Sequence, residues 1–123
     1  MYNNIVIIGA GTAGTIIANK LRRALSKNWT IYIIDNDENH YYQPGFLFIP
    51  FDIKKATSFV KPKNIFIPEG VNWIKEKVKK VNALSNKVIF DDNTEIIYDI
   101  LVIATGTRPV PEETLCLKDR LWN

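Results

Sequence analysis

The chain is short of the residues on which several kinds of chemistry depend. It holds one cysteine, Cys116, and one histidine, His40, among 123 residues. A single cysteine excludes an internal disulfide and any cysteine-rich metal site, and a single histidine removes most of the remaining zinc arrangements. There is no apolar run of the roughly 18 residues that a membrane-spanning helix needs. The opening Met1-Tyr2-Asn3-Asn4 lacks the positive n-region and small-residue cleavage site of a secretory signal, so a cytoplasmic location is expected, with the membrane surface open to it. Charge of one sign is scarce too. Lys and Arg outnumber Asp and Glu by 16 to 13, a surplus too small to announce a polyanionic partner, and no nucleic-acid partner is expected. With only 6 Gly and 6 Pro beside 46% hydrophobic residues, the composition is that of one packed globular domain.

What is present is a clear order of apolar patterns. Ile5 to Ile8 is a short continuous aliphatic run that stops at Gly9, the pattern of a strand buried on both faces of a parallel sheet. From Thr12 the spacing turns helical, with Ile16, Ile17, Leu21, Ala24 and Leu25 on one side and Lys20, Arg22, Arg23 and Lys27 on the other. Thr30 to Ile34 is a second β-branched run ending in Asp35, which completes a βαβ unit. Asn36 to Pro50, with its asparagines, aromatics and two prolines, reads as a long ordered loop. Asp52 is placed to cap a short helix through about Phe59, and Lys61-Pro62-Lys63 and Pro68 break the backbone into extended pieces. Val71 to Val81 alternates like one strand, Lys87 to Phe90 and Glu95 to Tyr98 form a hairpin around Asp92-Asn93, and Ile100 to Ala104 reads as another buried parallel strand. Val110 to Asn123 shows no period. Lys75, Lys77, Lys79 and Lys80 read as a solvated face, and His40 as a loop hydrogen-bonder rather than a base.

Gly9-Ala10-Gly11-Thr12-Ala13-Gly14 has the spacing G-x-G-x-x-G, follows the first strand, opens the helix, and precedes an acidic strand end, Asp35, by about 20 positions. Gly9 would permit the tight turn. Gly11, having no Cβ, would let a pyrophosphate approach the backbone at the helix N-terminus, where unpaired N–H groups and the helix dipole attract anionic oxygen. Gly14 would let the helix pack close to the strand. Asp35 would accept hydrogen bonds from the adenosine ribose hydroxyls, and its charge would disfavour a 2′-phosphate and hence NADP. The bland alternative is that the three glycines only relieve crowding in a βα turn and Asp35 is a turn carboxylate. The unit alone does not distinguish FAD from NAD.

Two later segments speak to that choice. Ala104-Thr105-Gly106, after the apolar run and Tyr98-Asp99, resembles the Ala-Thr-Gly turn with which flavoproteins of two dinucleotide-binding domains leave the FAD domain. His40-Tyr41-Tyr42-Gln43-Pro44-Gly45, continuing to Phe51, resembles a loop of the sulfide:quinone oxidoreductase family, over nearly the whole chain up to about Pro109. That resemblance implies an α/β fold, a Rossmann-like FAD/NAD(P)-binding βαβ sheet with an added antiparallel hairpin, here as an incomplete domain. Residues 1–109 would be the N-terminal part of the FAD-binding domain and 110–123 the start of a connection to a second domain. It implies FAD as cofactor, with Gly9, Ala10, Gly11, Thr12, Ala13, Gly14 and Asp35 around its adenosine diphosphate half, Ala104, Thr105 and Gly106 close to the diphosphate and flavin, Gln43, Pro44 and Gly45 near the flavin, and Val78 presenting backbone to the adenine. Sulfide and a membrane quinone would be the partners of a full-length protein, with peripheral membrane association through parts beyond this sequence.

The family's sulfide chemistry uses cysteines well beyond the Ala-Thr-Gly turn, so no catalytic residue is assigned and Cys116 reads as structural or incidental. The chain would then be inactive by itself, and its uncovered apolar sheet edge would favour self-association or a complementing chain. Two other classes stay open: an NADH:quinone dehydrogenase, which shares the glycine turn and the Ala-Thr-Gly exit, and a non-catalytic nucleotide-binding module.

Overall fold

The computed structural model describes residues 2–108 and 110–113; Cys116, Pro109 and most of the 110–123 segment lie outside the described residues. The first two aliphatic runs form β1 (Asn4–Ile8) and β2 (Thr30–Ile34), parallel and joined by the 13-residue helix α1 (Thr12–Ala24). The chain continues through β3 (Asn39–Tyr41), β4 (Val60–Pro62), β5 (Val71–Ile74), β6 (Val78–Asn82), β7 (Lys87–Phe90), β8 (Glu95–Ile97) and β9 (Ile100–Ile103). Four of these make a parallel sheet in the order β5-β2-β1-β9, and β6-β7-β8 make a separate antiparallel sheet.

The unbroken apolar runs follow from burial on two sides, because alternate residues of a strand point to opposite faces. Ile5, Ile7, Ile31 and Ile33 pack with Ala18, Ile17 and Leu21 of α1. Val6, Ile8 and Ile34 face the other way, against Val88 and Phe90 of β7 and against Tyr98. The antiparallel sheet therefore does for one face what the helix does for the other. Helix α1 ends at Ala24, short of Lys27, and the Arg22 guanidinium donates to the carbonyls of Leu25, Ser26 and Trp29, satisfying acceptors around the helix end. Ile16, which the helical pattern put with the apolar side, stands 50% exposed.

Three further expectations are corrected. Val71 to Val81 is two strands, because β5 ends on the parallel sheet where Ile74 accepts the Asp35 N–H, while β6 begins on the antiparallel sheet after Lys77 accepts the Asp91 N–H. The expected hairpin forms from β7 and β8, with β6 added as a third strand and the hairpin tip held by Asp92 accepting from the N–H and hydroxyl of Thr94, with Asn93 at φ 65°. Asp52 caps no helix: it adopts φ 55°, and the only helical turn in that stretch is a 3-10 turn at Ala56–Phe59 preceded by extended Lys55. The last run is parallel to β1 as expected, but it is not the buried strand expected: at the sheet edge Ile100 and Ile103 stand 46% and 66% exposed. The Asn36 to Pro50 loop is ordered as read, through a short β3–β4 pairing and a 3-10 turn at Gln43–Phe48. Among the described residues, no helix is long and apolar enough to cross a membrane.

The two-sided core sets a contrast in the response to truncation. Ile33→Ala should lower the unfolding free energy by about 3 kcal/mol, as for other fully buried aliphatic side chains, whereas Ile16→Ala should cost less than about 1 kcal/mol. Urea denaturation of the two variants beside the parent checks this.

Candidate functional site

Register alone brings the candidate residues together. Ile8 stands level with Ile34 of β2 and Ile103 of β9, so the residues that follow each strand, Gly9, Asp35 and Ala104, emerge side by side at the carboxyl edge of the sheet. Backbone bonds fix them there: the Gly9 N–H donates to the Ile34 carbonyl at 2.8 Å and the Ala104 N–H to the Ile8 carbonyl at 2.7 Å. The chain passes from β1 to β2 on one side, while β9 lies on the other, so this edge is the switch point at which open parallel sheets bind ligands.

The three glycines of the turn have different reasons to lack a side chain. Gly9 has φ 99°, and a Cβ there would lie 2.3 Å from the Ala104 carbonyl oxygen. A Cβ on Gly14 would lie 1.8 Å from the Gly9 carbonyl oxygen. Both are packing positions, where strand, helix and β9 meet. A Cβ on Gly11 meets nothing within 4 Å. Gly11 instead borders a cavity of about 410 Å³, shared with Thr12, Ala13, Asp35, Gln43 and the Ala104–Thr107 segment. Gly11 is also the N-cap of α1; no side chain caps the helix there and its first turn carries no acid. The N–H groups at this end thus face the cavity with no built-in anion competing for them. These residues suit the diphosphate of a dinucleotide by the chemistry of the donors and by the space that Gly11 leaves.

Asp35 lines the same cavity beside the glycine turn, and its carboxylate is already engaged. Oδ2 accepts the Ala10 N–H at 2.8 Å and pairs with the Lys63 ammonium at 2.8 Å, and Oδ1 accepts the Asp37 N–H at 2.9 Å. Burial pushes the Asp35 pKa up, but the bonds from Lys63, Ala10 and Asp37 and the charge of Lys63 outweigh it, and the net displacement is downward. Asp35 is therefore ionised at neutral pH. Lys63 is the residue that sequence reasoning missed: its side chain is 4% exposed, and it lines the same cavity. Locally it is one more lysine after a proline. It is carried inward by the β3–β4 pairing and by the bond of its own N–H to the Glu38 carbonyl at 2.8 Å.

The remaining expected residues divide. Ala10 is fully buried and spends its N–H on Asp35. Thr105 and Gly106 line the cavity, while Pro44 opens the 3-10 turn outside it and Gly45 packs under the Phe59 ring. Val78 lies on a neighbouring cavity of about 260 Å³ that shares Asp35 and Thr105 with the first. The His40 ring stacks at 4.4 Å from Phe66, and its Nδ1 is buried without a hydrogen-bond partner among the described residues, contrary to the loop hydrogen-bonder expected. Of the lysines read as a solvated face, Lys75 pairs with Glu38 over the Trp73 ring and Lys79 donates to Asn93. Among the described residues no group of three His, Cys, Asp or Glu side chains could hold a metal ion.

A parallel sheet with an open glycine turn at a helix N-terminus and an acidic end to the adjacent strand defines a Rossmann-like dinucleotide-binding protein. Comparison with known proteins agrees and narrows the class: the chain belongs to the pyridine nucleotide-disulphide oxidoreductase family, whose profile matches residues 3–111. It is 33% identical over 117 residues, 95% of its length, to the mitochondrial sulfide:quinone oxidoreductase of Dictyostelium discoideum, and 29% identical over 105 residues to apoptosis-inducing factor 1 of Saccharomyces cerevisiae. The crystal structure of the sulfide:quinone oxidoreductase of Aquifex aeolicus superposes with a TM-score of 0.74 at 27% identity, over 87% of this chain and 25% of that one. The chain spans about a quarter of the length of the curated relatives it matches, 26% for the Dictyostelium protein.

The different roles of the glycines are separable by substitution. Gly9→Ala should destabilise the fold by more than about 2 kcal/mol through strain at positive φ and the backbone clash, while Gly11→Ala should stay within about 1 kcal/mol of the parent. Thermal unfolding of both variants reads the difference.

Proposed function

We propose that this chain is the FAD-binding part of a flavin oxidoreductase that passes electrons from sulfide to a membrane quinone. The observation that carries the proposal is the convergence of Gly11, Asp35, Gln43 and Ala104–Gly106 on one cavity, in a chain whose relatives include sulfide:quinone oxidoreductases. On this reading Gly11, Thr12 and Ala13 hold the diphosphate through backbone N–H groups, Asp35 takes the adenosine ribose, and Val78 borders the adenine. Gly9, Ala10 and Gly14 shape the turn behind them. Gln43 and Pro44 stand toward the flavin, and Thr105 and Gly106 close the cavity beneath it. Bound there, FAD would supply the two-electron acceptor that links a sulfur donor to a quinone. The chain's own part is to orient that group, to balance its phosphate charge at the helix end, and to keep Asp35 ionised.

Residues 1–109 would form the N-terminal part of the FAD domain and 110–123 the start of the connection to a second domain. Sulfide, quinone and a location at the cytoplasmic membrane surface belong to the complete protein. This chain alone would turn over nothing, since the cysteines that hold sulfur in such chemistry must be accessible and of low pKa, and Cys116 has no second cysteine to pair with. Its exposed β9 edge and the exposed aromatics Tyr42 and Phe51 favour self-association or a complementing chain.

Two measurements test the proposal. The parent chain incubated with FAD should retain a flavin absorption spectrum after gel filtration, and Gly11→Val should lose it by filling the path of the diphosphate; a variant that holds FAD as tightly as the parent refutes the site. Joined to the remaining segments of a relative, the chain should support quinone reduction with sulfide at least about tenfold faster than with NADH, a difference of about 1.4 kcal/mol in barrier. Faster turnover with NADH would assign it to the dehydrogenase class instead.

A further inference from the structure

Lys63 has no place in the site as read from sequence, yet it is among the most buried charged side chains of the fold, at 3% exposure. An ammonium removed from water costs several kcal/mol unless it is paired, and its partner here is Asp35 Oδ2 at 2.8 Å. A carboxylate offers about four acceptor positions. Lys63 and the Ala10 N–H take the two on Oδ2, and the Asp37 N–H takes one on Oδ1. One position, on Oδ1, is left for an incoming hydroxyl.

We propose that Lys63 is a positioning residue for the nucleotide: with the Ala10 N–H it locks Oδ2 of Asp35, so that Asp35 accepts a single ribose hydroxyl through Oδ1 rather than the ribose diol. The inference rests on the reading of this cavity as the seat of an adenosine diphosphate group. It also changes the electrostatic picture, because the pair of Asp35 and Lys63 carries no net charge toward the ligand. The other titratable groups around Asp35 are Asp37, His40 and Tyr41 on the larger cavity and Glu76 and Lys77 on the smaller one. None of them is within ion-pairing distance of Asp35, so Lys63 is the cation that, with the Ala10 and Asp37 N–H groups, favours its ionised form against burial. The sign follows: without Lys63 the Asp35 carboxylate should take up a proton at higher pH, and nucleotide binding should fail sooner on acidification.

Calorimetry on the full chain with ADP, 2′-deoxy-ADP and 3′-deoxy-ADP tests this. In the parent, one of the two deoxy analogues should bind roughly tenfold more weakly than ADP and the other within about twofold. Lys63→Met should weaken ADP roughly tenfold at neutral pH and move the acid limit of binding upward relative to the parent. A folded Lys63→Met chain with the affinity and acid limit of the parent overturns the proposal while leaving the site standing. Equal tenfold losses for both deoxy analogues in the parent do the same without any variant. A folded parent that binds neither ADP nor FAD overturns the site reading and this inference with it.

Discussion

Between Gly9 and Ala104 the backbones come so close that no Cβ fits, and the rest of the structure is arranged around that approach. The Gly9 position would put a Cβ 2.3 Å from the Ala104 carbonyl oxygen, and the Gly14 position 1.8 Å from the Gly9 carbonyl oxygen. Turn, helix and edge strand can meet there only as bare backbone. The reward is that α1 starts directly above the carboxyl edge of β1, with its unpaired N–H groups aimed at the space that β2 and β9 enclose. Burial supplies the energy for this close packing, through the two-sided cover of β1 and β2.

The electrostatics of the cavity follow from the same edge. A helix N-terminus without a capping side chain presents partial positive charge, and Asp35 stands beside it, held to the turn through the Ala10 N–H. An acid standing free there would repel a diphosphate. The ion pair with Lys63 removes most of that repulsion while leaving the carboxylate an acceptor. The same pair weakens the argument that the Asp35 charge alone excludes a 2′-phosphate.

Much of this was legible in the residues, and the failures have physical causes. Periodicity located β1, α1 and β2 because each is a local pattern buried against its neighbours, and the glycine spacing located the turn because each glycine answers a steric demand. The same reasoning joined Val71 to Val81 into one strand, since apolar residues recur through both β5 and β6 and nothing local tells that one feeds the parallel sheet and the other the antiparallel one. It took Ile100 to Ala104 for a buried strand because an aliphatic run looks alike whether or not both of its faces are covered, whereas Ile100 and Ile103 stand exposed. It gave Asp52 a capping role on residue type alone, where the backbone instead turns through positive φ.

By itself the sequence determined the βαβ unit, the turn residues and their order, and the acidic end of β2, since all are written in spacings of a few residues. Its resemblance to sulfide:quinone oxidoreductases rested on the loop from His40 to Phe51, part of which, His40, Tyr41 and Gln43, lines the cavity. Tertiary structure alone decided which glycine borders the cavity and which meets backbone, and it alone brought Lys63 to Asp35. Those two facts depend on how β9 and the β3–β4 pair are laid against β1 and β2, and contacts between segments so far apart in the chain leave no periodic trace in it.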